Sequence, residues 1–140
     1  MERVHSFLAL LPQGYPAQIE FRHQDWFTES TFKEVIDAMK NRQIGAVITD
    51  VALRRDALHM CLTTTTAFVR FNGYGLHPSD FTRLDAWIGR LKQWLEKGVE
   101  RIYFFMHQEN EAHTIRLCDY FINQVNQHLG LNLPPLNLEK

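Results

Sequence analysis

Polar side chains that could bind a ligand or transfer protons lie at the ends of four short apolar runs in this sequence of 140 residues. Carboxylate and imidazole groups can act as general acid, general base or metal ligand, and the candidates for such roles are Glu20, Asp50 and His107. Guanidinium groups bind phosphate or carboxylate through paired hydrogen bonds, and imidazole and amide groups add further ones. The candidates for ligand binding are Arg22, His23, Arg70, Asn72 and Gln108.

The same charged residues also have a purely structural interpretation, in which Glu20 and Asp50 neutralise the arginines in an internal salt-bridge network. His23 precedes a turn and could simply cap it or pack on a neighbouring tryptophan. His107 and His113 are separated by five residues, a spacing that matches no zinc signature. We therefore predict no metal site, and the sequence identifies no cofactor.

Hydrophobic periodicity predicts strands that alternate with helices. The predicted strands cover residues 17–22, 45–50, 67–71 and 102–106. The predicted helices cover residues 2–11, 28–40, about 79–97 and 110–129, and 51–63 is predicted as a short or broken helix. Such alternation favours parallel strands joined by right-handed crossovers. We expect one domain over 1–140, made of a helix and then four strand–helix units, with a C-terminal tail at 131–140.

The helix predicted at about 79–97 is expected to begin at Ser79 or Asp80, because both residue types cap helix N-termini. Its inner face, predicted from the apolar spacing, consists of Phe81, Leu84, Ile88, Leu91 and Leu95, with Trp87 and Trp94 flanking it. An apolar face of this length is typical of a helix that covers a hydrophobic core.

Alternation within the strands places charged and amide side chains on one strand face. Glu20 and Arg22 share one side of the first strand, and Arg70 and Asn72 share one side of the third. Such a face is unfavourable beneath a helix, but it suits the interior and upper rim of a (β/α)₈ barrel. A small open-sheet domain with polar edges is the alternative. Four strands cannot close a barrel, so we expect two open edges and a tendency to self-associate.

Composition and charge exclude several classes of protein. The 15 Lys and Arg residues nearly balance the 16 Asp and Glu residues, and no basic stripe indicates binding to nucleic acid. No apolar run approaches membrane-spanning length and no signal-peptide pattern is present, so we expect no membrane association and a cytoplasmic location. Cys61 and Cys118 lack the spacing of a metal or redox motif and are expected to be free, buried thiols.

Several segments of the sequence occur in the same order in one known family. The longest is the string IEFRHQDWF at 19–27, and the others are ITD at 48–50, RRD at 54–56 with HM at 59–60, FVRFNG at 68–73 and YFFMH at 103–107. On these segments the sequence resembles the YecE-like family, also called domain of unknown function seventy-two. The resemblance covers nearly the whole chain.

The resemblance implies a TIM barrel of roughly twice this length, in which the matched segments correspond to the fifth to eighth strands. We therefore expect the chain to resemble the C-terminal half of that barrel, as a truncated or split form that starts at Met1. Many family members have His-Gly where this chain has Asn72-Gly73. A family role that needs an imidazole at that point is therefore not expected here.

Two functions follow as expectations, and the sequence leaves open whether the protein is an enzyme. The first is a half-barrel that self-associates, or pairs with a separate N-terminal half-barrel, and has no activity as a monomer. The alternative is part of an enzyme that acts on a small anionic or sugar-like ligand at the C-terminal rim of the strands.

Overall fold

The computed structural model of the chain describes residues 1–136, and within them helices alternate with the strands of one sheet. The α-helices are α1 (Glu2–Leu10), α2 (Glu29–Arg42), α3 (Pro78–Glu96) and α4 (Glu111–Leu129). The strands are β1 (Gln18–Ile19), β2 (Gly45–Val51), β3 (Thr66–Asn72) and β4 (Arg101–His107). Part of the predicted tail, 137–140, lies outside the described residues, and 131–136 forms neither helix nor strand.

The strands lie in the order β1-β2-β3-β4, with β1 and β2 parallel and Gln18 opposite Gly45. The predicted fold class, α/β with four parallel strands alternating with helices, is confirmed. This order leaves β1 and β4 at the two edges of the sheet. An edge strand presents backbone N–H and C=O groups that no neighbouring strand of the sheet binds.

The chain divides into two compact units, and each is described by itself. The first unit comprises Met1–Arg70 and Val99–Phe105. Its apolar core joins α1, α2 and the start of β2, and consists of Leu8, Val35, Ile36, Met39, Ile44 and Ala46. Ile19 and Phe21 pack against this core from the first strand and the residues that follow it. The single domain expected over 1–140 stays a prediction.

The second unit comprises Phe71–Gly98 and Met106–Lys140, and in it α3 packs on α4. The buried side chains of α3 include Leu84, Trp87, Ile88, Leu91 and Trp94, whereas Leu95 is exposed. The inner face is therefore rotated from the predicted one: both tryptophans lie in it, with ring centroids 5.8 Å apart. Burial of the two indoles removes more apolar surface from water than burial of Leu95 would.

The segment predicted as a short or broken helix at 51–63 contains one 3₁₀ turn, at Arg55–Ala57. Side chains tie the rest of the segment to β2 instead. The Thr63 hydroxyl donates to the carbonyl of Ile44 and accepts from the N–H of Ala46, at 2.7 and 2.8 Å. The predicted short or broken helix is thus limited to this 3₁₀ turn, and the bonds of Thr63 hold the end of the segment against β2.

Two further boundaries differ from the sequence prediction. The cap of α3 is His77, whose Nδ1 accepts from the N–H of Ser79 at 3.1 Å, and the prediction of Ser79 or Asp80 is wrong. The first strand is shorter than predicted, because only Gln18 and Ile19 pair with β2. Residues 20–22 continue beyond this pairing and bear the charged side chains described below.

Cys61 and Cys118 are free thiols and half-buried. Burial raises the pKa of the Cys118 thiol. Within residues 1–136 no helix combines the length and apolar character needed to cross a membrane.

Candidate functional site

Glu20 accepts hydrogen bonds from three side chains in the first unit. Its Oε1 accepts from Nη1 of Arg70 at 3.0 Å and from the hydroxyl of Thr49 at 3.1 Å. Its Oε2 accepts from Nη2 of Arg22 at 3.1 Å. Residues from β2, β3 and the segment after β1 thus meet at one carboxylate. We call Glu20, Arg22, Thr49 and Arg70 the Glu20 cluster.

Strand alternation explains why these side chains meet. Ile19 and Phe21 pack into the core of the first unit, which turns Glu20 to the other side of the chain. Val69 is fully buried, and alternation turns its neighbour Arg70 to the opposite face of β3. Adjacent strands of the sheet then bring side chains on this face within hydrogen-bonding distance. The sequence prediction that charged residues share one strand face is consistent with this geometry.

Two opposing effects set the pKa of Glu20. Burial alone would raise it, but the hydrogen bond from Arg22, the charge of Arg70 and the hydroxyl of Thr49 together lower it below the ordinary value of 4.5. Glu20 is therefore ionised at neutral pH. In this state it can accept a proton or a hydrogen bond, and it cannot serve as a general acid.

The two arginines differ in exposure. The Arg70 side chain is 27% exposed and that of Glu20 17%, whereas the Arg22 side chain is 73% exposed. A guanidinium carries five N–H groups, so one hydrogen bond to Glu20 leaves each arginine with donors that a ligand could use. One carboxylate against two guanidinium groups gives the cluster a formal net charge of about +1.

The other two candidates of the first unit have different partners. Asp50 is almost fully buried, forms an ion pair with Arg55 and, by alternation, lies on the opposite side of β2 from Thr49. His23 is exposed and caps the 3₁₀ turn at Gln24–Phe27, with its Nδ1 3.3 Å from a carboxylate oxygen of Asp25. The structure therefore brings Glu20, Arg22 and Arg70 together, whereas the ion pairs described here join Asp50 to Arg55 and His23 to Asp25.

His59 is a partly buried titratable residue that was not among the candidates. Its ring packs against Phe32 and Phe27, with centroid distances of 4.9 and 6.3 Å, and its Nε2–H donates to the carbonyl of Val47 at 3.2 Å. Its Nδ1 is buried without a hydrogen-bond partner among residues 1–136. Burial lowers the pKa of His59, and the hydrogen bond to Val47 only partly opposes this. The sequence offered no signal for this environment, because the two phenylalanines are distant in sequence.

In the second unit, Gln108 is buried against Gly73. Its Oε1 accepts from the N–H of Gly75 at 3.2 Å, and a Cβ on Gly73 would lie 2.8 Å from that oxygen and 2.9 Å from Cδ1 of Leu117. The carbonyl of His107, whose side chain is exposed, accepts from the N–H of Gly73 at 2.9 Å. Gln108 and the His107 backbone therefore both fix the loop between β3 and α3.

Asn72 and Asp80 extend this network in the second unit. The carbonyl of Asn72 accepts from Arg83 at 2.9 Å, and the amide Oδ1 of Asn72 is buried without a partner among the described residues. Asp80 is fully buried and accepts from the N–H of Tyr74 at 2.8 Å and from Arg83 at 2.7 Å. The loop so held includes Leu76 in the left-handed region, at φ 62°, where a branched side chain is strained.

An exposed aromatic surface lies on the sheet in the first unit. Phe68 stacks on Phe105 with ring centroids 4.7 Å apart, and Tyr103 lies 6.0 Å from Phe68. Tyr103 is 47% exposed and Phe105 50% exposed. We call Phe68, Tyr103 and Phe105 the aromatic face. It borders a cavity of about 450 Å³ that Gln18, Thr66 and Arg101 also line.

In the part of the chain that the structure describes, no three His, Cys, Asp or Glu side chains are grouped so that they could hold a metal ion. Glu20 and Asp50 are instead paired with arginines.

A family model described as "protein of unknown function DUF72" matches residues 1–138. The chain belongs to the DUF72 family. The resemblance noted from the sequence motifs is thereby confirmed, and the family's description assigns no function.

Two crystal structures of a DUF72 family protein from Enterococcus faecalis V583 share the fold of this chain. One superposes with a TM-score of 0.65 at 13% identity and covers 94% of this chain and 53% of that chain. The other has a TM-score of 0.64 at 14% identity and covers 99% of this chain and 55% of that chain. The chain thus spans about half the length of these solved structures. No curated protein matches the chain.

Proposed function

We propose that this DUF72 chain is a half-barrel, with four of the eight strands of a barrel, that self-associates and has no activity as a monomer. The observation that carries the proposal is the exposure of the aromatic face, with Tyr103 and Phe105 each about half exposed on an edge strand. Large apolar side chains grouped on a sheet face are typical of an interaction surface. A partner that covers this surface removes apolar area from water, and this favours association.

A second copy of the chain is the partner that we favour. Two copies supply eight strands, a number at which side chains fill the interior of a closed barrel. Each copy offers one β1 edge and one β4 edge, so two equivalent β4–β1 pairings would leave no edge open. The DUF72 structures from Enterococcus faecalis, which are about twice as long as the matched region, are also consistent with a separate N-terminal half-barrel as partner.

Substitution of Tyr103 tests this proposal. Tyr103→Ser removes apolar surface from the aromatic face, and we expect the dimer dissociation constant to rise about tenfold or more. Tyr74→Ser is the matched control, since Tyr74 is 51% exposed but lies in the loop after β3. Sedimentation velocity over a concentration series measures the dimer dissociation constant of each variant. Equal effects of the two substitutions would contradict a role for the aromatic face.

A second candidate function is binding of a small anionic or sugar-like ligand at the C-terminal ends of the strands, as part of an enzyme. The Glu20 cluster favours it, because Arg22 and Arg70 both retain N–H donors. In this proposal Glu20, Asp50 and His107 are the catalytic groups, with Glu20 a base in its ionised form. The ligand-binding groups are Arg22, His23, Arg70, Asn72 and Gln108. Half of the rim belongs to the partner, so the monomer is inactive.

Inorganic phosphate is the probe for the ligand site. We expect Arg70→Met to weaken phosphate binding about tenfold, because it removes one charged donor. Arg90→Met serves as the control, since Arg90 lies on α3, where it bonds to Gln93. Chemical-shift titration of the arginine side-chain signals gives both affinities. If the two variants bind phosphate equally, the Glu20 cluster is not an anion site.

The remaining expectations from composition stay predictions. The nearly equal numbers of acidic and basic residues argue against a nucleic-acid partner, and we propose a cytoplasmic location.

A further inference from the structure

The Glu20 cluster and the aromatic face lie on the same side of the sheet. Arg70 connects them, because it bonds to Glu20 and follows Phe68 by two residues, on the same side of β3. Phe68 in turn stacks on Phe105 of β4. Exposed and partly buried residues alternate along β4, and His107, its last residue, is exposed like Phe105. Alternation therefore places His107 on the side of β4 that bears the aromatic face.

The strands concerned are the two edges of the sheet. β1 is one edge, and the residues that follow it include Glu20 and Arg22, whereas β4 is the other edge and ends in His107. Within one copy β1 and β4 are three strand spacings apart, about 14 Å along the sheet, because β2 and β3 lie between them. An edge strand leaves its outer side open to a new neighbour.

Pairing of β4 with β1 of a second copy makes these edges neighbours. The strand spacing across such a pairing is about 4.8 Å, one step of a sheet in place of three. The strands of a barrel are parallel, so their C-terminal ends meet at one rim. Glu20 and Arg22 follow the C-terminal end of β1, and His107 is the C-terminal residue of β4. His107 of one copy would therefore lie beside the Glu20 cluster of the other.

We propose that the two copies share each anion site, in which Arg22 and Arg70 of one copy and the imidazole of His107 of the other bind one small oxyanion such as phosphate. The guanidinium groups retain N–H donors beyond their bonds to Glu20, and an imidazole donates an N–H in either tautomer. This inference rests on the proposed self-association and on the proposed anion site. It goes beyond both, because it assigns His107 to the cluster of the other copy and leaves the site incomplete in a monomer.

Phosphate titration at chain concentrations above and below the dimer dissociation constant is the first test. We expect the dimer to bind phosphate about fivefold more tightly than the monomer, because the imidazole adds one hydrogen-bond donor. His107→Ala should remove this difference. His128→Ala, at the exposed end of α4, is the matched control and should keep it. Equal affinities of the wild-type dimer and monomer would contradict the shared site.

Mixed dimers show which copy supplies the imidazole. Isotope-labelled Arg22→Met chains are mixed with an excess of unlabelled wild-type chains, and phosphate is titrated while the ring signal of the labelled His107 is followed. This signal is assigned by its loss in His107→Ala. We expect the labelled ring to respond with wild-type affinity, because Arg22 of the other copy is intact. In dimers of Arg22→Met alone the affinity should fall about tenfold, since each site lacks one charged donor.

The outcomes separate this inference from the two proposals on which it rests. A wild-type chain that is monomeric at every concentration refutes self-association, and an Arg70→Met variant with unchanged phosphate affinity refutes the anion site. The inference fails in either case. If the chain dimerises and Arg70→Met weakens phosphate binding, both proposals stand. A labelled His107 ring that then ignores phosphate, or that follows Arg22 of its own chain, overturns the shared site alone.

Discussion

At the scale of single residues, Glu20 is paired with two arginines on the sheet, whereas the ring of His59 packs against Phe27 and Phe32. Sequence alternation placed Glu20 and Arg22 on one side of the first strand and Arg70 and Asn72 on one side of the third, and Glu20 does meet both arginines. No local sequence pattern predicted the aromatic surroundings of His59, because they come from residues that only folding brings together. Periodicity reports which face a residue occupies, and it carries no information about such distant partners.

His59 predicts a pH dependence of stability. Its pKa in the folded chain lies below the ordinary value of 6.5, so between these two values the unfolded chain binds a proton that the folded chain does not. The free energy of unfolding therefore falls as the pH is lowered through 6.5. The loss is up to about 1.4 kcal/mol for each unit by which folding lowers the pKa.

Urea unfolding between pH 7.5 and 5.5 measures this effect. In His59→Gln the amide can still donate to the carbonyl of Val47 but cannot take up a proton, so we expect the pH slope to decrease. His128→Gln, at the exposed end of α4, is the control and should keep the wild-type slope. Identical slopes in the wild type and His59→Gln would rule out His59 as the source.

At the scale of elements, apolar periodicity located most helices and strands but misjudged those whose ends depend on tertiary bonds. The segment at 51–63 has a composition compatible with a helix, yet Thr63 bonds to β2. Both Ser79 and Asp80 suit a helix cap, yet His77 caps α3 while Asp80 holds Tyr74. Hydrogen bonds between side chains and backbone override the predicted preference in both places, at Thr63 to a strand distant in sequence and at His77 to nearby Ser79.

Two glycines in different elements should respond oppositely to alanine. At Gly73 a Cβ would come within 3 Å of Gln108 and Leu117, so Gly73→Ala should lower the free energy of unfolding by about 1–3 kcal/mol. At Gly89, within α3, a Cβ meets no atom within 4 Å. Gly89→Ala should therefore raise the free energy of unfolding by about 0.5–1 kcal/mol, because alanine has the higher helix propensity. Urea unfolding of the two variants checks the signs, and destabilisation by Gly89→Ala would contradict this account of α3.

At the scale of the whole molecule, we propose that a second copy of the chain covers the exposed aromatic face and the open sheet edges. The sequence predicted the open edges from the number of strands alone. It did not predict that Phe105 would stack on Phe68, or that Tyr103 would lie beside Phe68 on the exposed side. That feature depends on the register between β3 and β4, which a single sequence does not specify.

The most direct test is the mass of the wild-type chain in solution, measured by light scattering coupled to size exclusion over a range of concentrations. We predict a dimer that dissociates only on strong dilution, and whose dissociation Tyr103→Ser shifts to higher concentration. A well-folded monomer at every concentration, with a cooperative unfolding transition, would contradict self-association and would leave a separate N-terminal half-barrel as the partner to test.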